Sequence, residues 1–208
     1  MARYTDAVCR LCRREGRKLF LKGERCESPK CAIAKRNFPP GQHGLSRSKL
    51  SPYGMQLREK QRAKRYYGIL ERQFSLIFDH AERMKGVTGT LLLQLLETRL
   101  DNLVCRMGFG ASRAAARQLV MHGNVRVDGR KVDIPSCRVR VGQEISVKSK
   151  FKEHPMVKNA LEQAGKRETL SWLEVNPETS VGRLIAVPAR EDIPVDLNEQ
   201  LIVELYSK

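Results

Sequence analysis

Four of the six cysteines of this 208-residue chain fall within its first 31 positions, spaced Cys9-x2-Cys12-x13-Cys26-x4-Cys31. Two close pairs joined by a loop are what a tetrahedral metal site needs, because each pair supplies two thiolates from one turn. The segment has little else to fold on. Its apolar cluster is Leu19-Phe20-Leu21, so a structural zinc ion, worth roughly 10–16 kcal/mol in small fingers, is the expected staple. Arg10, Arg13, Arg14, Arg17 and Lys18 are expected to lower the thiol pKa values and favour the metal-binding thiolate. Two disulfides would use the same residues, but the N-terminus lacks the apolar centre of a secretory signal, which disfavours an oxidising compartment. Four unrelated buried thiols fit the spacing less well. A four-iron cluster takes the same ligands, with no other sign of redox work, and His43 is a conceivable substitute ligand that four cysteines make unnecessary. Cys105 and Cys137 lie in apolar patterns and read as small buried residues.

Charge narrows the partner. Lys plus Arg number 39 against 23 Asp plus Glu, a formal +16. A polyanion is the expected partner, because each neutralised phosphate releases counterions. Residues 1–65 carry +13, 66–97 carry −1, 98–152 carry +8 and 153–208 carry −4. Two separated basic blocks predict two surfaces facing RNA or DNA; a generally basic solvated surface would not leave the last quarter acidic. At 41% hydrophobic the chain has material for real cores, and its length allows one or two domains. No apolar run is long enough to span a bilayer. A soluble, cytoplasmic protein is expected.

The turn-rich Pro39-Pro40-Gly41-Gln42-His43-Gly44 predicts a linker. Ser51-Pro52 then predicts a helix with serine as cap and proline in the first turn, running to Tyr67 and stopping at Gly68. Arg58, Lys60, Arg62, Lys64 and Arg65 make it basic around most of its circumference, suited to phosphates on several sides. A second helix presents Leu70, Phe74, Ile77, Phe78, Ala81 and Met84 on one side. A third, capped by Thr90, carries a single stripe from Leu92 through Leu95, Leu96, Leu100, Leu103 and Val104 to Met107.

Ser112 predicts the cap of a short helix ended by His122-Gly123, with Arg113 and Arg117 on one face. Asp128-Gly129, between alternating residues, is a strong signal for a type I′ hairpin over 125–132. Alternation continues at Cys137, Val139, Val141, Ile145 and Val147. The implied unit is two helices and a small curled antiparallel sheet, its arginines placed to read folded RNA by shape. For this stretch alone, a solvated helix with ordinary surface arginines fits as well. Pro155 opens a further helix, strands are expected over 170–175 and 181–187, and the apolar residues of 193–208 predict a segment that docks elsewhere.

Arg99-Leu100-Asp101-Asn102-Leu103-Val104, Ser112-Arg113, Ala116-Arg117-Gln118-Leu119-Val120, His122-Gly123 and the hairpin with Ile134-Pro135-Ser136 resemble the RNA-binding domain of the ribosomal S-four type. Pro39-Pro40-Gly41-Gln42-His43-Gly44, Tyr53-Gly54-Met55-Gln56-Leu57-Arg58-Glu59-Lys60-Gln61 and Asn198-Glu199-Gln200-Leu201-Ile202-Val203-Glu204 extend the likeness over nearly the whole chain. The match is to the ribosomal S-four family of bacterial small-subunit proteins, in its zinc-bearing form. Ala115, Asn124, Asp128 and Cys137 depart from the family pattern; Asp128 places a negative charge at the hairpin tip, which argues against a phosphate contact there.

The resemblance implies an α+β fold: a zinc-bound N-terminal extension (1–45), a helical domain (46–97, completed by about 188–208), and the small RNA-binding domain (98–187) inserted within it. It implies a non-enzymatic primary assembly protein. Such a protein binds a five-way helical junction in the 5′ domain of small-subunit ribosomal RNA and supports accurate translation. It contacts small-subunit protein five, with protein three nearby, beside the path by which mRNA enters. Residues assigned to RNA are Arg3, Arg10, Arg13, Arg14, Arg17, Lys18, Lys22, His43, Arg47 and Lys49 in the N-terminal block. The first long helix adds Arg58, Lys60, Arg62, Lys64 and Arg65, and the small domain adds Arg113, Arg117, Gln118, His122, Arg126, Arg130 and Lys131.

Three rivals remain. An RNA-modifying enzyme needs a catalytic domain, and neither length nor any Ser/His/Asp, phosphate-loop or paired-acid arrangement supplies one. A zinc-finger regulator accounts for the metal but leaves the second basic block without a role. A ribosome-associated stress protein needs the small domain alone and leaves residues 1–90 unexplained. No membrane or small-molecule substrate is expected.

Overall fold

In the computed structural model, which describes residues 3–45, 49–165 and 170–207, the cysteine-rich segment forms two short helices, α1 (Cys9–Glu15) and α2 (Ala32–Lys35), with a 3-10 turn at Gly23–Cys26 between them. Its interior is small: Leu19, Ile33, Cys12, Cys26 and Cys31 are buried.

Ser51 and Pro52 start α3 (Pro52–Tyr67) as their chemistry predicts, the serine hydroxyl accepting from the Gly54 amide. Gly68 ends it at φ +65°, the left-handed conformation that lets an amide return to the last carbonyls. The next helix, α4 (Glu71–Arg83), buries Phe74, Ile77, Phe78 and Ala81. Leu70 and Met84, expected on the same stripe, are both exposed, because they flank the helix rather than lie in it.

The single long stripe expected after Thr90 is two helices, α5 (Thr88–Glu97) and α6 (Leu100–Arg106), and Thr90 lies inside α5. The break has an external cause. Arg99 is extended (φ −70°, ψ +140°), and the backbone around it pairs with a distant stretch. The Val139 amide donates to Thr98 O (3.0 Å), Leu100 N donates to Cys137 O (2.9 Å) and Asp101 N to Pro135 O (3.1 Å). Satisfying those groups outweighs continuing the helix.

Ser112 caps α7 (Arg113–Met121) through the Ala115 amide. The hairpin follows as β1 (Val125–Val127) and β2 (Arg130–Lys131), with Val127 opposite Arg130. Asp128 and Gly129 both have positive φ, +48° and +75°, which is the type I′ turn the pair predicts. With β3 (Glu144–Val147), the helices α8 (Ser149–Lys152) and α9 (Pro155–Ala164), and the strands β4 (Leu173–Asn176) and β5 (Val181–Leu184), the chain completes an antiparallel sheet of order β2-β1-β3-β5-β4. Helices α6 and α7 pack on it through Leu103, Met107, Leu119, Ile145 and Trp172, all at most 2% exposed. The last helix is α10 (Glu199–Tyr206).

The chain divides into two units, one of Met1–Leu92 with Val195–Lys208 and one of Leu93–Pro194. In the first, α10 returns to α3 and α4. The Tyr206 ring stacks on Phe78 (4.4 Å between centroids) and its hydroxyl donates to Glu71 (3.1 Å). Gln56 donates to Glu204 (2.9 Å). The docking expected of the C-terminal segment is thus seen within this unit.

Glu71 also accepts from Lys60 (2.5 Å) and Lys64 (2.9 Å). Partial burial opposes ionisation, but those two hydrogen bonds hold the carboxyl at about 2, below the usual 4.5. Folding depresses this pKa, so its stabilisation is complete above 4.5 and is lost as pH falls through about 2. Glu71→Gln should lower stability at neutral pH by no more than about 1 kcal/mol, because the carboxylate is half exposed and solvent-screened. In urea titrations the gap between variant and parent should close on acidification through that window.

Candidate nucleic-acid interface

The cations assigned to RNA fall into two groups, those left at the surface and those taken up inside the fold. In the first unit, Arg3, Arg10, Arg14, Lys18, Lys22 and Lys49 are exposed, as is His43. Arg17 is exposed but pairs with Asp196. Arg13 turns inward: its guanidinium lies 4.9 Å from the Phe38 ring centre, and Nε donates to Phe38 O (3.0 Å), which anchors the proline-rich linker. Arg47 lies outside the described residues.

Helix α3 is the largest correction. All five of its cations are ion-paired, and none is exposed. Arg58 and Arg65 grip Glu15 of α1, whose side chain is 2% exposed. Burial pushes the Glu15 carboxyl up, and Arg65 and Arg58 pull it back. Lys60 and Lys64 share Glu71, and Arg62 bonds Glu59 and Asp196 (both 3.2 Å). A helix with free cations on several sides is not what forms; its charge fastens α1, α4 and the C-terminal segment to it.

The second correction concerns α7. Arg113 and Arg117 do share a face, but that face looks at α6. Arg113 Nε donates to Asn102 Oδ1 (2.9 Å), and Arg117 donates to Asp101 (2.6 Å), which also takes a two-pronged grip from Arg99. Asn102 in turn donates to Glu97, a fully buried carboxylate held by Arg106 through two bonds of 3.0 and 2.6 Å. This polar layer between α5, α6 and α7 is structural.

Among the cations assigned to RNA in the second unit, those of the hairpin and the surface beside it stay outside. Gln118, His122, Arg126, Arg130 and Lys131 are exposed. The Asp128 carboxylate is used internally: the Glu144 amide (3.0 Å) and Gln143 Nε2 (2.7 Å) donate to it, and those bonds hold its pKa below the ordinary value. The tip charge is therefore a brace for the 143–144 turn. Beside it runs a groove of about 550 Å³ bordered by Arg130, Arg138, Arg140 and Gln143 over Val132 and Cys137. Arg138 and Arg140 were missed by sequence reasoning, although the signal was present: Val139 is 4% exposed, so its neighbours on either side must face out.

The four N-terminal cysteines share one small neighbourhood. Cys12, Cys26 and Cys31 are buried and Cys9 is half-buried, and Cys12 responds electrostatically to the other three. Burial pushes the Cys12 and Cys26 thiols up; of the cations expected to lower them, Lys18 does pull Cys26 back, but burial outweighs it. Backbone amides bond the sulfurs as well, Leu19 N to Cys12 and Lys22 N to Cys26 (3.3 Å). Among the described residues, no group of three or more His, Cys, Asp or Glu side chains is drawn closely enough together to hold a metal ion, and no helix is long and apolar enough to cross a membrane.

Comparison with known proteins agrees with this layout. Residues 3–97 match the family described as Ribosomal protein S4/S9 N-terminal domain, and residues 98–145 match the S4 domain. The junction between the two matches falls at the break between α5 and α6. The chain is 59% identical, over the full length of both proteins, to small ribosomal subunit protein uS4A of Alkaliphilus oremlandii and to uS4 of Acetivibrio thermocellus. It is 57% identical, again over both full lengths, to uS4 of Thermoanaerobacter pseudethanolicus. By fold, by surface and by this end-to-end likeness, the chain belongs to the small ribosomal subunit protein uS4 family.

Proposed function

We propose that this chain is an architectural constituent of the small ribosomal subunit, one that binds ribosomal RNA and performs no catalysis. The observation that carries the reading is the sorting of its cations. Those that find acceptors inside the fold become scaffold, while the N-terminal segment of one unit and the hairpin with residues 137–143 of the other keep clusters of theirs exposed. Exposed, unneutralised cations on rigid supports hold phosphates in fixed places. Phosphate contacts carry little sequence information, so the target is recognised by the shape of folded RNA. The target is a multi-helix junction in the 5′ domain of small-subunit ribosomal RNA, at which the protein clamps helices that would otherwise repel one another. Small-subunit proteins five and three are its protein neighbours, beside the path of mRNA, and its place is the cytoplasmic ribosome. The acidic stretch 153–208 is only partly free for such neighbours, since Asp196 and Glu204 are spent within the fold.

The N-terminal segment holds one zinc ion in this reading. Cys9, Cys12, Cys26 and Cys31 are the residues that would bind it, and an all-sulfur donor set with amides directed at two of the sulfurs suits zinc. When bound, the ion supplies no chemistry beyond a cross-link between α1, the 3-10 turn and α2. Purified protein should contain about one zinc per chain. Chelation should unfold the first 40 or so residues while the helical circular dichroism of the rest persists; less than half an equivalent of metal would refute the site.

Salt dependence should separate surface cations from structural ones. Arg126→Ala or Arg130→Ala should lower the slope of log K against log salt by roughly 0.7–0.9. Arg117→Ala should leave that slope unchanged and cost about 1–3 kcal/mol of stability instead, because it strips a donor from the buried Asp101.

The function is tested by competition. Binding should survive base-pair swaps that preserve the helices of the junction and fail when their connectivity is changed at constant length and charge. Equal affinity at physiological salt for a linear duplex would show a general polyanion binder instead.

A further inference from the structure

Among the described residues, three other than glycine have positive φ: Asp128, Ser180 and Phe20. Asp128 is accounted for by its type I′ turn, and Ser180 is small, polar and buried, with its carbonyl accepting from Val147 N. Short polar residues tolerate this conformation; a phenylalanine does so only at a cost. Phe20, at φ +51°, has no turn chemistry of its own to explain it.

Its surroundings impose the conformation from both sides. The Leu19 amide is directed at the Cys12 sulfur, the Lys22 amide donates to Cys26 Sγ (3.3 Å), and the Leu19 side chain is driven inside at 2% exposure. With Leu19 fixed inward and its neighbours' amides fixed to sulfur, the left-handed residue between them throws its ring outward. Phe20 is 47% exposed, although the segment is short of apolar residues for its own interior. A fold that needed the ring for stability would have turned it in. On either side stand Lys18 and Lys22, both exposed, with Arg25 close by in sequence and exposed as well.

A half-exposed aromatic ring in a loop, with exposed lysines two residues away on either side, is the equipment of a stacking platform. The ring offers a face to an unpaired base, and the cations take the flanking phosphates. We infer that Phe20 stacks on an unpaired nucleobase of the bound RNA, with Lys18 and Lys22 on the adjoining backbone. This rests on the RNA-binding reading above and adds to it a single-stranded element, a looped-out base, that phosphate clamping alone does not require. A partner protein would be expected to meet the ring with an apolar pocket; the paired lysines favour a polyanion.

The test uses the full chain with its metal and ribosomal RNA of the 5′ domain. Phe20→Leu keeps apolar bulk but removes the ring, and it should weaken binding by about 5- to 150-fold. The salt slope should not change, because no charge is lost, and Phe20→Trp should bind like the parent. Phe20→Gly accepts positive φ freely, so it should melt no lower than the parent yet bind as weakly as Phe20→Leu, which separates lost contact from lost folding. Ultraviolet cross-linking should place Phe20 against one unpaired nucleotide. If the parent itself fails to prefer the junction RNA, the functional reading falls. If the parent prefers it and Phe20→Leu binds equally well, the stacking inference alone is overturned. Unchanged RNA binding with poor entry of Phe20→Leu into small subunits would overturn it too, in favour of a protein contact.

Discussion

A chain with a formal charge of +16 can close its interiors only where carboxylates absorb the cations that secondary structure forces inward. Here a few acids do so two cations at a time. Glu15 takes Arg58 and Arg65, Glu71 takes Lys60 and Lys64, and Asp101 takes Arg99 and Arg117. Glu97 takes Arg106 with both oxygens and Asn102 besides. These carboxylates tie separate elements together, and removing a buried one such as Asp101 would leave its two cations facing each other at low dielectric. This accounting also shapes the outer surface, because cations that find no acceptor inside the fold, such as those of the hairpin, are left to it.

Local chemistry was legible wherever the cause and the effect lay close together. Ser51-Pro52 and Ser112 started their helices, Gly68 stopped one, and Asp128-Gly129 made the hairpin, each by bonds within four residues. The Arg113 and Arg117 spacing correctly named a shared face but carried no information about where that face looked. The break at Thr98 and Arg99 was not legible, since its cause is the backbone of residues 135–139. Likewise, nothing near Glu15 announces that it will sit between two arginines of α3. The expectation of free cations on α3 and on the Arg113–Arg117 face went astray for this reason: a basic residue's exposure depends on whether an acceptor from another element reaches it. Arg138 and Arg140 were within reach of the alternation argument, which followed the apolar positions and passed over the ones between.

The cysteine segment shows the same division. Spacing named the four sulfurs as one set; in the fold three of them are buried and one half-buried, and among the described residues no such group closes to metal-binding distance. It also suggested that the surrounding arginines and Lys18 would acidify them; Lys18 pulls on Cys26, but burial pushes the Cys12 and Cys26 thiols up and amides donate to both. Burial and backbone amides outweigh side-chain charge at these sulfurs.

The first unit is assembled from two stretches of chain far apart in sequence, and the helix that completes it, α10, is made after the whole of the second. Vectorial synthesis therefore delivers its pieces in an awkward order. Residues 93–194 emerge as an uninterrupted stretch with their own core, so they are free to fold while the earlier unit still waits for α10. Until then Phe74 and Phe78 lack the Tyr206 ring that stacks on them, and the groove they line is open to solvent and to other nascent chains. The usual N-terminal-first order of domain folding is thus reversed at completion: the small domain can close before the helical one has all its parts.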